Sequence, residues 1–128
     1  MARVVLDSSF LIAMFYEGDV HFEKVSRVLN VEENQYFISA ITLAETLTHA
    51  ARQGPEELAA MVTSIKGAMT EIIHVDEELA IEAAGFRSRT RTKIPDAIIS
   101  ATATRLGAQL WTLDKKLAKA HKGAVLVA

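Results

Sequence analysis

Short apolar runs alternate with helix-type segments along the chain, and this alternation limits the fold more than any other feature. Five runs have the length and the β-branched content of strands, at 3–6, 36–38, 72–75, 110–113 and 124–127. Seven segments have helical spacing or capping residues. They cover 7–15 with Asp7 in the cap, 21–31, 40–52 with Ser39 as N-cap, 56–69, 76–88 with Asp76 as N-cap, 95–106 and 114–120. Strands that alternate with helices predict an α/β domain with a mainly parallel five-stranded sheet flanked by helices.

The length of 128 residues suits one domain, 1–128, and a hydrophobic content of 50% excludes a disordered chain. No apolar run reaches the roughly 18 residues that a membrane span needs. The apolar stretch 4–16 contains Asp7 and has no small-residue cleavage pattern, so we expect no signal peptide. Because the chain has no cysteine, disulfides and thiolate metal sites are excluded. We expect a soluble cytoplasmic protein.

Four acidic residues stand in stretches that are otherwise uncharged. They are Asp7 within 4–16, Glu45 within 38–51, Asp96 within 94–104, and Asp114 directly after 110–113. Carboxylates in such surroundings are expected to be partly buried, which is costly unless a charge or a hydrogen bond compensates. The first three stretches contain no Lys or Arg, so a cation shared by all four acids is the predicted partner. Oxygen ligands without thiolates indicate Mg²⁺ or Mn²⁺.

Each acid also has a simpler interpretation. Asp7 and Asp114 are suitable N-caps, and Asp96 suits the first turn of a helix, where the dipole favours a negative charge. Glu45 lies in the middle of its helix, where capping does not explain it, although a distant Arg could pair with it. These separate explanations would have to hold at all four positions together, which favours the shared site.

The net charge of −2 is unusual for a protein that binds nucleic acid. If four of the sixteen acids surround metal ions, twelve remain against fourteen bases, and the rest of the surface is slightly positive. A basic run precedes the Asp96 segment and consists of Arg87, Arg89, Arg91 and Lys93. This run is either a solvated helix end or a track for RNA phosphates that leads to the acids.

The four acidic segments resemble, in order and across essentially the whole chain, those of the PIN-domain family. They read VVLDSSFLIAMF, ISAITLAETLTHA, KIPDAIISATA and LWTLDKKL. The resemblance implies a Mg²⁺- or Mn²⁺-dependent endoribonuclease that cuts single-stranded or loop RNA. Compact members of this size are typically the toxins of VapBC toxin–antitoxin pairs, which implies a homodimer and a small antitoxin that covers the active site.

Carried over to this chain, the resemblance assigns a role to each residue. Asp7 and Asp96 would be the principal metal ligands, Asp114 would complete the site directly or through water, and Glu45 would hold a water beside the metal. Ser8 and Thr112 would orient the carboxylates. Either Glu45 or Asp114 could accept the proton of the attacking water. Whether one or two metal ions bind stays open, since Lys115 and Lys116 add no further acid.

Other functions fit the sequence less well. A phosphatase with an aspartyl nucleophile needs a second Asp two positions after the first, where this chain has Ser9. A receiver domain would use Asp76, but it needs a pair of acids beside the first strand. A non-catalytic interaction module with the same fold is the main alternative. The four histidines are not required by the chemistry, and we expect structural or surface roles for His21, His49, His74 and His121.

Overall fold

The computed structural model describes residues 1–31 and 33–127. Its strands are β1 (Ala2–Leu6), β2 (Asn34–Ser39), β3 (Glu71–Ile73), β4 (Gln109–Thr112) and β5 (Val125–Leu126). Its helices are α1 (Ser8–Phe15), α2 (Phe22–Leu29), α3 (Ala40–Gln53), α4 (Pro55–Ala68), α5 (Glu77–Thr90), α6 (Ile94–Leu106) and α7 (Lys115–Ala120). Within these ranges no helix is long and apolar enough to cross a membrane.

The five strands form one sheet in the order β3-β2-β1-β4-β5, and all four pairings are parallel. The predicted α/β class and the mainly parallel sheet are therefore confirmed. The chain moves outward from β1 through β2 to β3 and then returns to the other side of β1 with β4. Where the strand order reverses, the connections after two neighbouring strands leave in opposite directions and open a crevice at their carboxyl ends. In this protein the strand order reverses between β1 and β4, so the crevice is expected there.

Both faces of the sheet are covered, because side chains alternate along each buried strand. On one face the core contains Val4, Leu6, Phe10, Ile38 and Trp111, and on the other Val5, Phe37, Ile99, Leu110 and Leu117. Helices α1, α2 and α4 contribute buried residues to the first face, whereas α6 and α7 contribute to the second. A third cluster joins α5 to α6 and contains Leu79, Ala83, Ala97, Ile98 and Ala101.

The predicted boundaries are correct to within a few residues, with physical reasons for the differences. Gly107 ends α6 in the left-handed conformation (φ 59°), as its position predicted. The predicted strand 72–75 ends earlier, at Ile73. Its neighbour β2 ends at Ser39, the partner of Ile73, because α3 begins at the next residue, Ala40. The predicted helix 21–31 ends at Leu29, and the chain continues as a turn through Val31.

We expect Leu110→Ala to lower the free energy of unfolding by about 2–5 kcal/mol, because this fully buried side chain fills the core between β4 and α6. Val20→Ala is the control, since Val20 is 89% exposed, and its effect should stay within about 0.5 kcal/mol. Urea unfolding followed by circular dichroism measures both. Equal losses in the two variants would contradict this description of the core.

Candidate active site

Two of the four isolated acids lie at the carboxyl ends of β1 and β4, where the strand order reverses. Asp7 directly follows β1, and Asp114 lies two residues after the end of β4. The backbone N–H of Asp7 donates to the carbonyl of Trp111, 3.3 Å away, so the two strand ends are joined there. The connections after the central pair of strands therefore bring both carboxylates to the same edge of the sheet.

Asp7 is buried, with 3% of its surface exposed, and it caps α1. Its Oδ1 accepts from the backbone N–H of Phe10 at 2.9 Å and from the hydroxyl of Ser9 at 2.8 Å. The hydroxyl of Thr112 donates to its Oδ2. Burial raises the pKa of Asp7, and the charge of Asp114 adds to that rise, while the hydrogen bonds from Thr112, Phe10 and Ser9 oppose it. Asp7 is thus the predicted N-cap of α1 and also a buried carboxylate with a raised pKa.

Thr112 and Ser9 connect the two loops that carry Asp7 and Asp114. The Oγ1 of Thr112 also accepts from the backbone N–H of Asp114 at 2.9 Å. The Oγ of Ser9 accepts from the backbone N–H of Leu113 at 3.3 Å. Ser9 was not predicted from the sequence to position Asp7, although a hydroxyl two residues after an N-capping Asp indicates a hydrogen bond to that carboxylate.

Glu45 extends from α3 toward the same edge, and the hydroxyl of Ser8 donates to its Oε1 at 2.5 Å. The side chain is exposed, so the expectation that all four carboxylates are partly buried is wrong for Glu45. The reason is its position on the helix, because α3 buries Thr42, Thr46 and Ala50, which lie on a different face. An exposed carboxylate is stable without a compensating charge, whereas a buried one is not.

Asp96 lies in the first turn of α6 and is half-buried. Burial raises its pKa, and the negative charges of Asp114, Asp7 and Glu45 raise it further, while Lys93 lowers it. The other three acids predicted from the sequence therefore lie within electrostatic reach of Asp96. The four acids come from four separate elements that only the fold brings to one edge.

No Arg or Lys forms an ion pair with these acids in the described part of the chain. Within the described residues, 1–31 and 33–127, the ion pairs are those of Arg105 with Asp76 (2.8 Å) and with Glu78 (3.9 Å). The cluster is therefore left with uncompensated negative charge, which is the electrostatic condition for binding a cation. Carboxylate and hydroxyl oxygens without thiolates are the donors that a hard divalent ion prefers.

The carboxylates are nevertheless turned toward protein donors. In the described ranges no three His, Asp or Glu side chains form a group that could hold a metal ion as they stand. Asp7 accepts hydrogen bonds from the hydroxyls of Ser9 and Thr112, and Glu45 accepts one from Ser8. The Oδ1 of Asp114 accepts from the backbone N–H of Lys116 at 2.8 Å. The donor chemistry fits a metal ion, but side-chain rotations would have to bring the oxygens together.

The basic run before Asp96 is exposed, and the fold separates its members. Arg87 and Arg91 line a cleft of about 540 Å³ between α5 and α6. The Nε of Arg87 donates to the carbonyl of Thr92 at 3.1 Å, which ties it to the end of its own helix. Lys93 precedes α6, and its charge acts on Asp96. Of this run, Lys93 is the member whose charge acts on the pKa of Asp96.

The histidines differ in their surroundings. His49 packs edge-on against Tyr16, with ring centroids 5.5 Å apart, and shares a second cleft of about 450 Å³ with Glu45. His121 forms a hydrogen bond with Ser100 at the end of α7, which fits the expected structural role.

We expect Asp96→Asn to raise the melting temperature of the metal-free protein by a few degrees at pH 7. The pKa of Asp96 is raised in the folded state, so its protonated form stabilises the fold below about pH 4 and this contribution is lost as the pH rises through the folded-state pKa. Asn keeps an uncharged side chain at every pH. The gain should therefore vanish near pH 3.5, as measured by differential scanning calorimetry in EDTA.

The matched control is Glu71→Gln, which removes an exposed acid on β3 and should leave the melting temperature nearly unchanged. A destabilised Asp96→Asn at pH 7 without metal would contradict the assignment of uncompensated charge to this cluster.

Solved structures with the same fold include several toxin–antitoxin proteins. A toxin–antitoxin complex from Klebsiella pneumoniae matches with a TM-score of 0.81 and 25% identity, covering 98% of each chain. VapC20 of Mycobacterium tuberculosis, a toxin that cleaves the sarcin–ricin loop, matches with a TM-score of 0.78 and 23% identity over 95% of this chain and 96% of its own. FitAcB from Neisseria gonorrhoeae matches with 0.76 and 21% identity over 96% of each.

No curated protein matches the chain. The family model described as the PIN domain matches residues 4–123. This match extends from the central strand β1 to beyond α7 and includes all four acids of the cluster. The chain therefore belongs to the PIN domain family.

Proposed function

We propose that this protein is a metal-dependent endoribonuclease and the toxin of a type II toxin–antitoxin pair. The observation that carries the proposal is the position of Asp96, whose pKa is raised by burial and further by the charges of Asp114, Asp7 and Glu45, close to the strand-order reversal of the sheet. Family membership and the likeness to the Klebsiella pneumoniae complex and to VapC20 support it. By analogy with VapC20, the substrate class is RNA, with a loop as the preferred form.

Asp7, Asp96 and Asp114 would hold a divalent cation, Mg²⁺ or Mn²⁺, with Glu45 beside it. Such an ion activates a water molecule and neutralises charge on the scissile phosphate. The hydroxyl of Thr112 already holds the Asp7 carboxylate in place, so this side chain would lose less conformational freedom when the cation binds. Glu45 is the favoured proton acceptor because it is exposed, whereas Asp114 is engaged as the cap of α7.

Lys93 is the basic residue best placed to contact a phosphate near the acids, because its charge already acts on Asp96. Arg89 and Arg91 are exposed and would extend this contact along the RNA. Their contribution would not depend on base sequence, because phosphate contacts position a nucleic acid without specifying it. RNA as the substrate also favours action in the cytoplasm.

A small antitoxin is the proposed protein partner. The structure from Klebsiella pneumoniae supports this, since it is a toxin–antitoxin complex whose fold extends over nearly all of this chain. An antitoxin that covers the exposed Glu45 and the neighbouring crevice would block access of RNA to the carboxylates.

We expect Asp7→Asn and Asp96→Asn each to lower RNA cleavage by at least about 100-fold in Mg²⁺ or Mn²⁺, because each removes a charge from the proposed metal site. Asn at residue 7 remains a good N-cap, so the fold should persist. Cleavage of a pool of structured RNAs, with each metal and with EDTA, is the measurement, and Glu71→Gln is the control with wild-type activity. Equal activity in EDTA would overturn the metal dependence, and inactivity of the folded wild type with every RNA would favour the non-catalytic module.

A homodimer is also part of the proposal, and the charge pattern of α5 supports it. The exposed charges of α5 are acidic in its first half and basic in its second half: Glu77, Glu78 and Glu82, then Arg87 and Arg89. Between them Ala84 is exposed, and Ile81 is 66% exposed. Two copies of α5 packed antiparallel across a twofold axis would bring acidic halves against basic halves. The small side chain of Ala84 would allow the helices to approach closely.

We expect Ala84→Arg to convert the dimer to a monomer, because a long cation at the middle of α5 would block close packing. Ala59→Arg, at an exposed alanine on α4, is the matched control and should remain dimeric. Size-exclusion chromatography with light scattering measures both. A dimer that persists in Ala84→Arg would exclude this interface, and a monomeric wild type would exclude the homodimer itself.

A further inference from the structure

A polar contact joins helix α6 to the residue that ends helix α7. The Oγ of Ser100 lies 2.5 Å from the Nδ1 of His121. Ser100 is 2% exposed and lies one turn beyond Asp96 on α6. His121 follows the last residue of α7, the helix that Asp114 caps. The contact therefore links the helix that carries Asp96 to the helix that begins at Asp114.

Helix α7 needs such anchors because it has only six residues. A helix this short is not stable alone, so its position depends on its contacts with the rest of the fold. Leu117 is its one buried residue and packs into the core with Ile99 of α6. At its first end, the N–H of Asp114 donates to Thr112, and its last end meets α6 through His121.

The surroundings of His121 favour a neutral ring. Burial lowers the pKa of His121, and the aromatic ring of Phe86 on α5 lies 6.3 Å from it, centroid to centroid. A neutral imidazole with its proton on Nε2 presents Nδ1 as an acceptor, and the Ser100 hydroxyl can donate to it. Removing the His121 ring would leave the buried Ser100 hydroxyl without this partner, and an unsatisfied buried polar group costs more than the bond itself contributes. Removing the Ser100 hydroxyl would leave Nδ1 of the half-buried His121 without it.

We propose that Ser100 and His121 are positioning residues whose hydrogen bond holds α7 against α6 and thereby sets the separation of Asp114 from Asp96. Neither side chain touches RNA or metal in this scheme. The consequence for catalysis rests on the proposed function, but the anchoring of α7 does not. An ordinary stabilising contact would change only the stability of the fold, whereas a positioning contact also changes how well the carboxylates act together.

The test compares Ser100→Ala with Thr104→Ala. Thr104 lies one turn further along α6, and its hydroxyl donates to the carbonyl of Ser100 at 3.0 Å, so its removal deletes a hydrogen bond without touching α7. His121→Leu removes the acceptor, and His121→Asn offers an amide oxygen close to the position of Nδ1. All variants are measured well below their melting temperatures, so that each is fully folded.

We expect Ser100→Ala and His121→Leu to weaken Mn²⁺ binding by about 10-fold, as measured by isothermal titration calorimetry. RNA cleavage should fall through kcat with little change in KM, since the contact does not bind RNA. His121→Asn should recover most of both losses, and Thr104→Ala should match the wild type. Unchanged Mn²⁺ binding and kcat in folded Ser100→Ala would overturn the proposal.

Hydrogen exchange of the α7 amides provides a readout that needs neither metal nor activity. In Ser100→Ala we expect faster exchange across Lys115–Ala120, while α4 exchanges as in the wild type. If the wild type neither binds Mn²⁺ nor cleaves RNA, the proposed function fails, and this readout alone decides the inference. Exchange in α7 that is equal in Ser100→Ala and Thr104→Ala would overturn it.

Discussion

The burial of the Asp7 carboxylate at the end of the central strand is the constraint on which the rest of the site depends. A buried charge is costly, and here it persists because Thr112, Ser9 and a backbone N–H of α1 donate to it. These donors come from both sides of the strand-order reversal, so the same bonds that stabilise Asp7 also align the loops after β1 and β4. The backbone N–H of Asp114 also donates to Thr112, so the same network reaches the loop that carries Asp114.

The other carboxylates add to a local excess of negative charge that the protein leaves uncompensated. Asp96 experiences the charge of the other three acids, and Lys93 offsets only part of it. Such an arrangement costs stability in the metal-free fold, and it favours the cation binding that we propose for these acids. Hydroxyl groups contribute by fixing the acids: Thr112 and Ser9 hold Asp7, and Ser8 holds Glu45.

The sequence was informative where a local pattern has a local cause. Asp7 and Asp76 were recognisable as N-caps, and both accept backbone N–H groups at the starts of α1 and α5. Strand ends were harder to predict, because the length of β3 depends on where its neighbour β2 stops, at Ser39. The exposure of Glu45 was predicted wrongly for a similar reason, since an apolar neighbourhood along the chain does not reveal which face of a helix is buried.

By itself, the sequence determined the α/β class, the parallel sheet and the four acids, because hydrophobic periodicity and isolated charges are properties of the chain. Only the tertiary structure decided that the other three acids lie within electrostatic reach of Asp96, since the four belong to elements separated by up to about a hundred residues. It also decided that Ser9 and Thr112 hold Asp7, and that His121 reaches Ser100. Contacts of this kind depend on the strand order and on the side-chain directions of packed helices, which no local pattern contains.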